Sequence, residues 1–219
     1  MVIKRNTEWR GKRIVDIVIS LMAIVALLPV FLIISLSICL TMGAPVLFKQ
    51  QRPGRNGKLF WLLKFRSMTN LPSGAKILLS EDAARLTRLG NFLRKTSLDE
   101  IPSLLNVLRG EMSLVGPRPL LVEYLPFYTL QQSRRHILRP GLTGLAQVKG
   151  RTSLSWEKRF RYDVWYVENN SACLDLKILA DTVKVVVCQT GNSQELSEIM
   201  APFSGVTASN HSQEEDSGG

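Results

Sequence analysis

The sequence predicts an α+β fold, predominantly helical, in which an N-terminal re-entrant membrane helix broken at Pro29 precedes a cytoplasmic helical domain with a small β-hairpin. Three observations carry this. The run from Ile17 to Met42 holds no charged residue, and roughly 20 apolar residues suffice to cross a bilayer core. Basic residues stand on both sides of that run. After Gly43 the chain turns polar and reads as two short strands followed by helices. The composition shifts divide it into a basic N-terminus with the membrane helix (1–43), a cytoplasmic domain (44–191) and a polar, acidic tail (192–219).

Charge bounds the partners. A formal net charge of +10 on 219 residues invites nucleic acid, anionic lipid or phosphorylated substrates without choosing among them. From Met1 to Arg66 eleven Lys and Arg face only Glu8 and Asp16, so this stretch holds nine of the ten net charges. Cys39, Cys173 and Cys188 are odd in number and show no paired spacing, which suggests a reducing compartment. With His136 and His211 as the only histidines, zinc sites and His-based triads have little material. A metal, if used, should be a hard one held by carboxylates, such as magnesium.

The apolar run is too long for the core of a signal peptide, and no A-x-A-like site follows it. LSIC, Leu36 to Cys39, has Ile38 where a lipoprotein cleavage box wants a small residue. An ordinary spanning helix is the competing reading. It would put one basic cluster on the wrong side, because Lys4, Arg5, Arg10, Lys12 and Arg13 precede the run and Lys49, Arg52, Arg55 and Lys58 follow it. Pro29 in the middle removes a backbone donor and favours a kink. A helix that enters, bends at Pro29 and returns to the same face satisfies both facts, with Ser35 or Ser37 available to freed backbone groups. Asp16 would lie at the entry and pair with Lys12 or Arg13.

A hairpin from Val46 to Phe65 follows, turning at PGRNG. A helix should begin near Ser80, favoured by Glu81 and Asp82, with a basic side of Arg85, Arg88, Arg94 and Lys95. Next comes SLDEIPSLLN. Ser97 and Glu100 have capping-box spacing, but Ser97 as N-cap puts Pro102 at the fifth helical position, where a bond is forfeited. Asp99 as N-cap puts Pro102 in the tolerant first turn. Either way Asp99 and Glu100 stand at a helix N-terminus, beside amide donors and the positive dipole end. Adjacent helical residues point about 100° apart, so the two carboxylates suit separate jobs, with at least one kept ionised. Capping and chemistry both remain open at this point.

Leu104, Leu105, Val107 and Leu108 form a short apolar stripe ended by Gly110. In GPRP, prolines on both sides hold Arg118 at low entropic cost, as a phosphate-gripping residue needs. Gly141, Gly144 and Gly150 suggest loops near Lys149 and Arg151. Tyr162, Trp165 and Tyr166 read as core or membrane-interface anchors around Asp163. Asp175 to Val187 reads as an amphipathic helix with Leu176, Leu179, Ala180 and Val183 on one face. The tail from about Asn192 reads as disordered.

Taken together, SLDEIPSLLNVLRGEMSLVGPRP, KRIVDIVIS, FKQQRPGRNGKLFWLLKFRSM and RPGLTGLAQVKGR resemble the monotopic phosphoglycosyl transferases of the bacterial sugar transferase family, over roughly Lys12 to Val187. The resemblance is to the small form holding only the catalytic domain, which here would be residues 44–191. It implies transfer of a phosphosugar from a nucleotide diphosphate sugar, usually a UDP-sugar, to polyprenyl phosphate, with release of UMP. It places Asp99 as nucleophile forming a covalent phosphosugar intermediate, Glu100 as its assistant, and Mg²⁺ close to Asp99. Lys64, Arg118, Arg151, Asp163 and Asp175 match polar positions around the site. It further implies a monotopic protein of the bacterial inner membrane, with both termini and the catalytic domain cytoplasmic. Membrane lipid is then a partner and nucleic acid is not. Many members have Ser-Pro at the membrane bend where this chain has Leu28-Pro29. A direct single displacement, or a non-catalytic membrane-anchored protein binding anionic lipid, are the alternatives. No segment selects the sugar, and there is no clear signal for an oligomeric state.

Overall fold

A computed structural model describes residues 7–69, 85–150, 154–187 and 203. The expected helix start at Ser80, Arg151, Cys188 and all of the 192–219 tail except Phe203 lie outside the described residues. The fold is mostly helical with two small two-stranded sheets.

The apolar run forms a single helix, α1, Lys12–Met42. It is long and apolar enough to cross a membrane. Pro29 lies inside it, and the helical ladder continues on both sides. A proline forfeits one helical bond, here at the Val25 carbonyl, but need not end the helix. Ser37 donates instead to Ile33 O at 2.8 Å.

One face of α1 packs against the body along its length. Ile19, Ala23 and Ile24 meet the main core, while Ile34 and Ile38, with Val30, Phe31 and Met42, meet Phe65 and Leu93. The opposite face, including Ile14, Val18, Leu21, Val25, Leu32, Ile33 and Leu40, is exposed. Polar contacts fix both ends. Lys12 donates to Asp175 Oδ2 at 2.5 Å, and the Arg66 guanidinium donates to the carbonyls of Met42 and Pro45. Among the described residues Asp16 forms no ion pair, although the Lys12 charge acts on it; its Oδ1 accepts from Leu114 N at 3.1 Å.

β1 (Leu47–Pro53) and β2 (Leu59–Phe65) form the antiparallel hairpin the sequence predicts. α2 (Arg88–Lys95) begins at Thr87, whose hydroxyl accepts from Gly90 N at 2.9 Å. After a 3₁₀ turn, Leu98–Glu100, comes α3 (Ser103–Arg109), closed by Gly110 at φ 83, in the left-handed region where glycine is favoured. β3 (Ser113–Val115) then pairs in parallel with β4 (Gly141–Thr143). Between them run a 3₁₀ segment, Val122–Phe127, a single helical turn, α4 (Leu130–Ser133), and a second 3₁₀ turn, Arg134–His136.

α5 (Leu145–Gly150), α6 (Trp156–Asn169) and α7 (Ala172–Val187) complete the described chain. α7 corrects one expectation. Ile178 and Asp175 turn inward and Leu179 packs against the core, whereas Leu176 and Val183 are more than 60% exposed. Both stripes of this helix are apolar, and the ion pair of Asp175 with Lys12 selects which one faces the body. Tyr166 is core, as one reading of its segment expected, and Trp165 is largely exposed.

Candidate functional site

The Asp99–Glu100 pair sits in the 3₁₀ turn between α2 and α3, one turn ahead of the helix it was expected to cap. Ser97 has φ 59 and makes no side-chain capping bond; a left-handed residue lacks the extended backbone an N-cap uses. α3 starts at Ser103 with Pro102 as its cap residue. There the missing proline N–H costs nothing, because the first helical N–H groups have no carbonyl partners.

Two strands bring cations to this turn. Lys64, near the end of β2, donates from Nζ to Glu100 Oε1 at 2.7 Å and lies 3.7 Å from Asp99 Oδ2. The strand is held in place by α3 side chains that occupy its free edge. Asn106, fully buried, accepts from Leu63 N at 3.0 Å and donates to Trp61 O at 2.7 Å, and Ser103 donates to Leu63 O at 2.6 Å. These bonds replace a third strand, so the buried edge is satisfied. Arg13, from the first turn of α1, donates to the Val107 and Leu108 carbonyls at 2.5 and 2.7 Å, closing the other end of α3.

Arg118 arrives from β3 through Gly116 and Pro117. Its Nη2 donates to the same Glu100 oxygen at 2.7 Å, and its side chain remains 40% exposed. The β3–β4 pairing is what fixes it. Gly116 N donates to Thr143 O and Gly141 N to Pro117 O, and a Cβ on Gly116 or Gly141 would run into opposing backbone. This close approach is the physical link between the GPRP and RPGLTG segments. Arg135, 2% exposed, adds a second restraint by donating to Arg118 O at 2.7 Å and to Asp163 Oδ2 at 2.7 Å.

The two carboxylates are therefore unlike. Burial alone would raise the pKa of Glu100, but Arg118 and Lys64 hold it down to about 2. Arg118 is raised in turn, mainly by Glu100. Asp99, 8% exposed, is pushed above its ordinary value by burial, with Lys64 opposing and Glu100 reinforcing the shift. Among the described residues no donor hydrogen-bonds Asp99, so the amide donors expected at a helix N-terminus are not used. Glu100 is the fixed anion, and Asp99 is the carboxylate with lone pairs available for chemistry.

Lys64, Asp99, Glu100 and Arg118 thus come together. Asp163 stands one step away, acting on the Arg118 backbone through Arg135. Asp175 belongs to a separate buried network, accepting from Lys12, from Trp9 Nε1 at 2.9 Å and from the Tyr166 hydroxyl at 2.6 Å. Pro29 lies within α1. Arg135, Asn106 and Arg94 were not singled out as site residues from the sequence. Arg94, whose field acts on Asp99, donates to Ser67 Oγ at 2.9 Å. None has a local motif to mark it; only α2's basic side hinted at Arg94.

Among the described residues no three His, Cys, Asp or Glu side chains converge as a metal cage. Glu100 is occupied by two cations. The donor set fits a magnesium ion only in the manner usual for phosphate chemistry, with one carboxylate, Asp99, and the remaining ligands from phosphate oxygens and water.

The family described as bacterial sugar transferase matches the chain over residues 7–189. An uncharacterized sugar transferase, EpsL of Bacillus subtilis, is 50% identical over 183 residues, covering 84% of this chain and 90% of that protein. The undecaprenyl-phosphate galactose phosphotransferase of Salmonella typhimurium is 40% identical over 204 residues, 86% of this chain and 42% of that protein. The UDP-glucose:undecaprenyl-phosphate glucose-1-phosphate transferase of Klebsiella pneumoniae is 42% identical over 181 residues, 78% of this chain and 39% of that protein. The chain therefore spans about two fifths of the length of the latter two relatives.

Proposed function

The chain belongs to the bacterial sugar transferase family, and on that premise we propose that it transfers a sugar phosphate from a UDP-sugar to undecaprenyl phosphate in two displacements on Asp99. The names of the Salmonella and Klebsiella relatives support the acceptor, and the latter's name supports the donor. The single observation that carries the mechanism is the asymmetry of the pair, with Glu100 neutralised by Lys64 and Arg118 and Asp99 free of hydrogen bonds among the described residues.

In the first displacement an Asp99 carboxylate oxygen attacks the β-phosphorus of the donor. A P–O bond to Asp99 forms, the bond to the bridging oxygen breaks, and its electron pair leaves with UMP. In the second, a phosphate oxygen of the lipid attacks the same phosphorus and releases Asp99. Lys64 and Arg118 offset phosphate charge that would otherwise repel the carboxylate. Glu100 keeps both cations aimed at the turn. A magnesium ion held by Asp99 would supply further charge neutralisation at the phosphates.

We place the protein on the cytoplasmic membrane face as a monotopic protein with both termini on that side. The supporting facts concern α1. At 31 residues it would be about 46 Å long, more than the ~30 Å hydrocarbon core. Yet its first turn is bonded to α3 and α7 and its last carbonyl to Arg66, so both ends belong to one body. The outward apolar face meets lipid. Because Pro29 removes a bond midway, the helix bends there when embedded.

The test of the activity is UMP release by the purified full chain in nanodiscs containing undecaprenyl phosphate, across a panel of UDP-sugars with Mg²⁺. The expected result is turnover with one or a few of the sugars and none without a sugar nucleotide. Lipid binding without UMP release from any donor would instead favour the anionic-lipid-binding alternative.

A further inference from the structure

Arg52 is a half-buried cation with no carboxylate bonded to it among the described residues, and the proposed mechanism gives it no role. Its Nη2 donates to Gln50 Oε1 at 2.6 Å, and its Nε is buried with nothing to accept it. Among the described residues no Asp or Glu lies within ion-pair distance. A guanidinium can make five hydrogen bonds, and one left this poorly satisfied gains from an incoming acceptor.

Its position relative to the site follows from strand register. Arg52 pairs with Phe60 and Phe48 with Lys64, so Arg52 and Lys64 share the hairpin face that also carries Phe60 and Leu62 into the core. Arg118 interacts with both sides of this arrangement. It is bonded to Glu100, as Lys64 is, and its charge acts on Arg52. Burial first, and Arg118 second, hold the Arg52 pKa down to about 10, against the opposing charge of Glu123. Lys64 and Arg118 are thus joined through Glu100, while Arg52, on the Lys64 face of the hairpin, has no bonded carboxylate among the described residues.

We propose that Arg52 is a phosphate-binding residue that, with Arg118, holds the phosphate ester leaving the reaction centre. This rests on the transferase reading of Asp99. Two phosphate esters could supply the ligand, the nucleotide or the polyprenyl lipid, and the fold favours the nucleotide. The Lys64 end of the hairpin is the end that touches α1, through Phe65 packed with Phe31 and Met42. Arg52 lies at the turn end, five residues along β1 from Leu47, about 17 Å at strand rise. A lipid phosphate arriving beside α1 reaches Lys64 first, while a soluble donor reaches across from the turn. As the P–O bond breaks and its electron pair passes to UMP, negative charge grows on the departing phosphate, and Arg52 is placed to take it.

The experiment compares the wild-type full chain with Arg52→Gln and Arg52→Lys in nanodiscs, by calorimetric titration with UMP and, separately, with undecaprenyl phosphate. Arg52→Gln is expected to bind UMP about 10- to 100-fold more weakly, with undecaprenyl phosphate affinity and ligand-free melting temperature unchanged. Arg52→Lys should recover part of the loss, and supplies the same readout should the Gln variant fail to fold. Wild-type UMP affinity in Arg52→Gln, or a loss confined to the lipid, overturns the proposal while leaving the transferase reading intact. A wild-type chain that neither binds UMP nor releases it overturns both.

Discussion

Glu100 has two cations at 2.7 Å and Asp99 has one at 3.7 Å, and in the proposed mechanism this difference divides the work between neighbouring carboxylates. Glu100, held near pKa 2, stays ionised through any working pH. Its pairing stabilises the fold above the unfolded value near 4.5 and is lost only as pH falls toward about 2. Asp99 has the opposite sign: its folded pKa lies above 3.8, so it protonates first on acidification. A protonated Asp99 cannot attack phosphorus. The rate of UMP release should therefore fall on the acid side through the Asp99 value, and Lys64→Met should move that limb to higher pH, because Lys64 is the strongest influence lowering it. A pH–rate profile checks this, and an acid limb left in place by Lys64→Met contradicts it. The family resemblance placed these residues together, through the DE pair, GPRP and the hairpin lysine. Helix geometry suggested separate jobs for the pair, but which carboxylate is held ionised depends on burial and on the cations Lys64 and Arg118.

At the scale of elements, the site is held by contacts that have no periodicity to read. Asn106 lies in an apolar stretch, yet its amide binds Leu63 N, Trp61 O and Glu111 Oε2, fastening α3 to the strand that carries Lys64. Asn106→Ala leaves a buried N–H and carbonyl on β2 without partners and should cost about 2–4 kcal/mol. Chemical denaturation measures this, and a loss below ~1 kcal/mol would mean the strand edge finds other partners. The hairpin was legible because PGRNG and the strand composition are adjacent in sequence. The β3–β4 pair was not: its strands are three residues each and far apart, and only the fold reveals why Gly116 and Gly141 must both be glycine. The α7 face was misassigned in part, at Leu176 and Val183, for a related reason. Two apolar stripes compete in that helix, and a distant lysine decides between them.

For the molecule as a whole, α1 is both a core element and an exposed apolar surface. Its length and composition were plain in the sequence, whereas its docking along the body was not, because apolar residues surround the helix on all sides. Lys12 with Asp175, and Arg13 with the α3 carbonyls, specify which side faces inward. Packing two apolar surfaces in lipid gains little hydrophobic free energy, so such polar anchors fix the orientation. The monotopic proposal predicts that a membrane-impermeant thiol reagent in the periplasm labels a cysteine introduced at neither Val2 nor Ser217 in a background lacking the native cysteines. Labelling of one end alone would restore a spanning helix. The central claim, however, is covalent chemistry at Asp99, and intact-mass analysis tests it most directly. The full chain is incubated with its UDP-sugar and Mg²⁺ in the absence of lipid. The account predicts a mass increase equal to one phosphosugar, mapped to Asp99, absent in Asp99→Asn and lost on adding undecaprenyl phosphate. An unmodified mass in a preparation that turns over with lipid would contradict it and point to a single displacement.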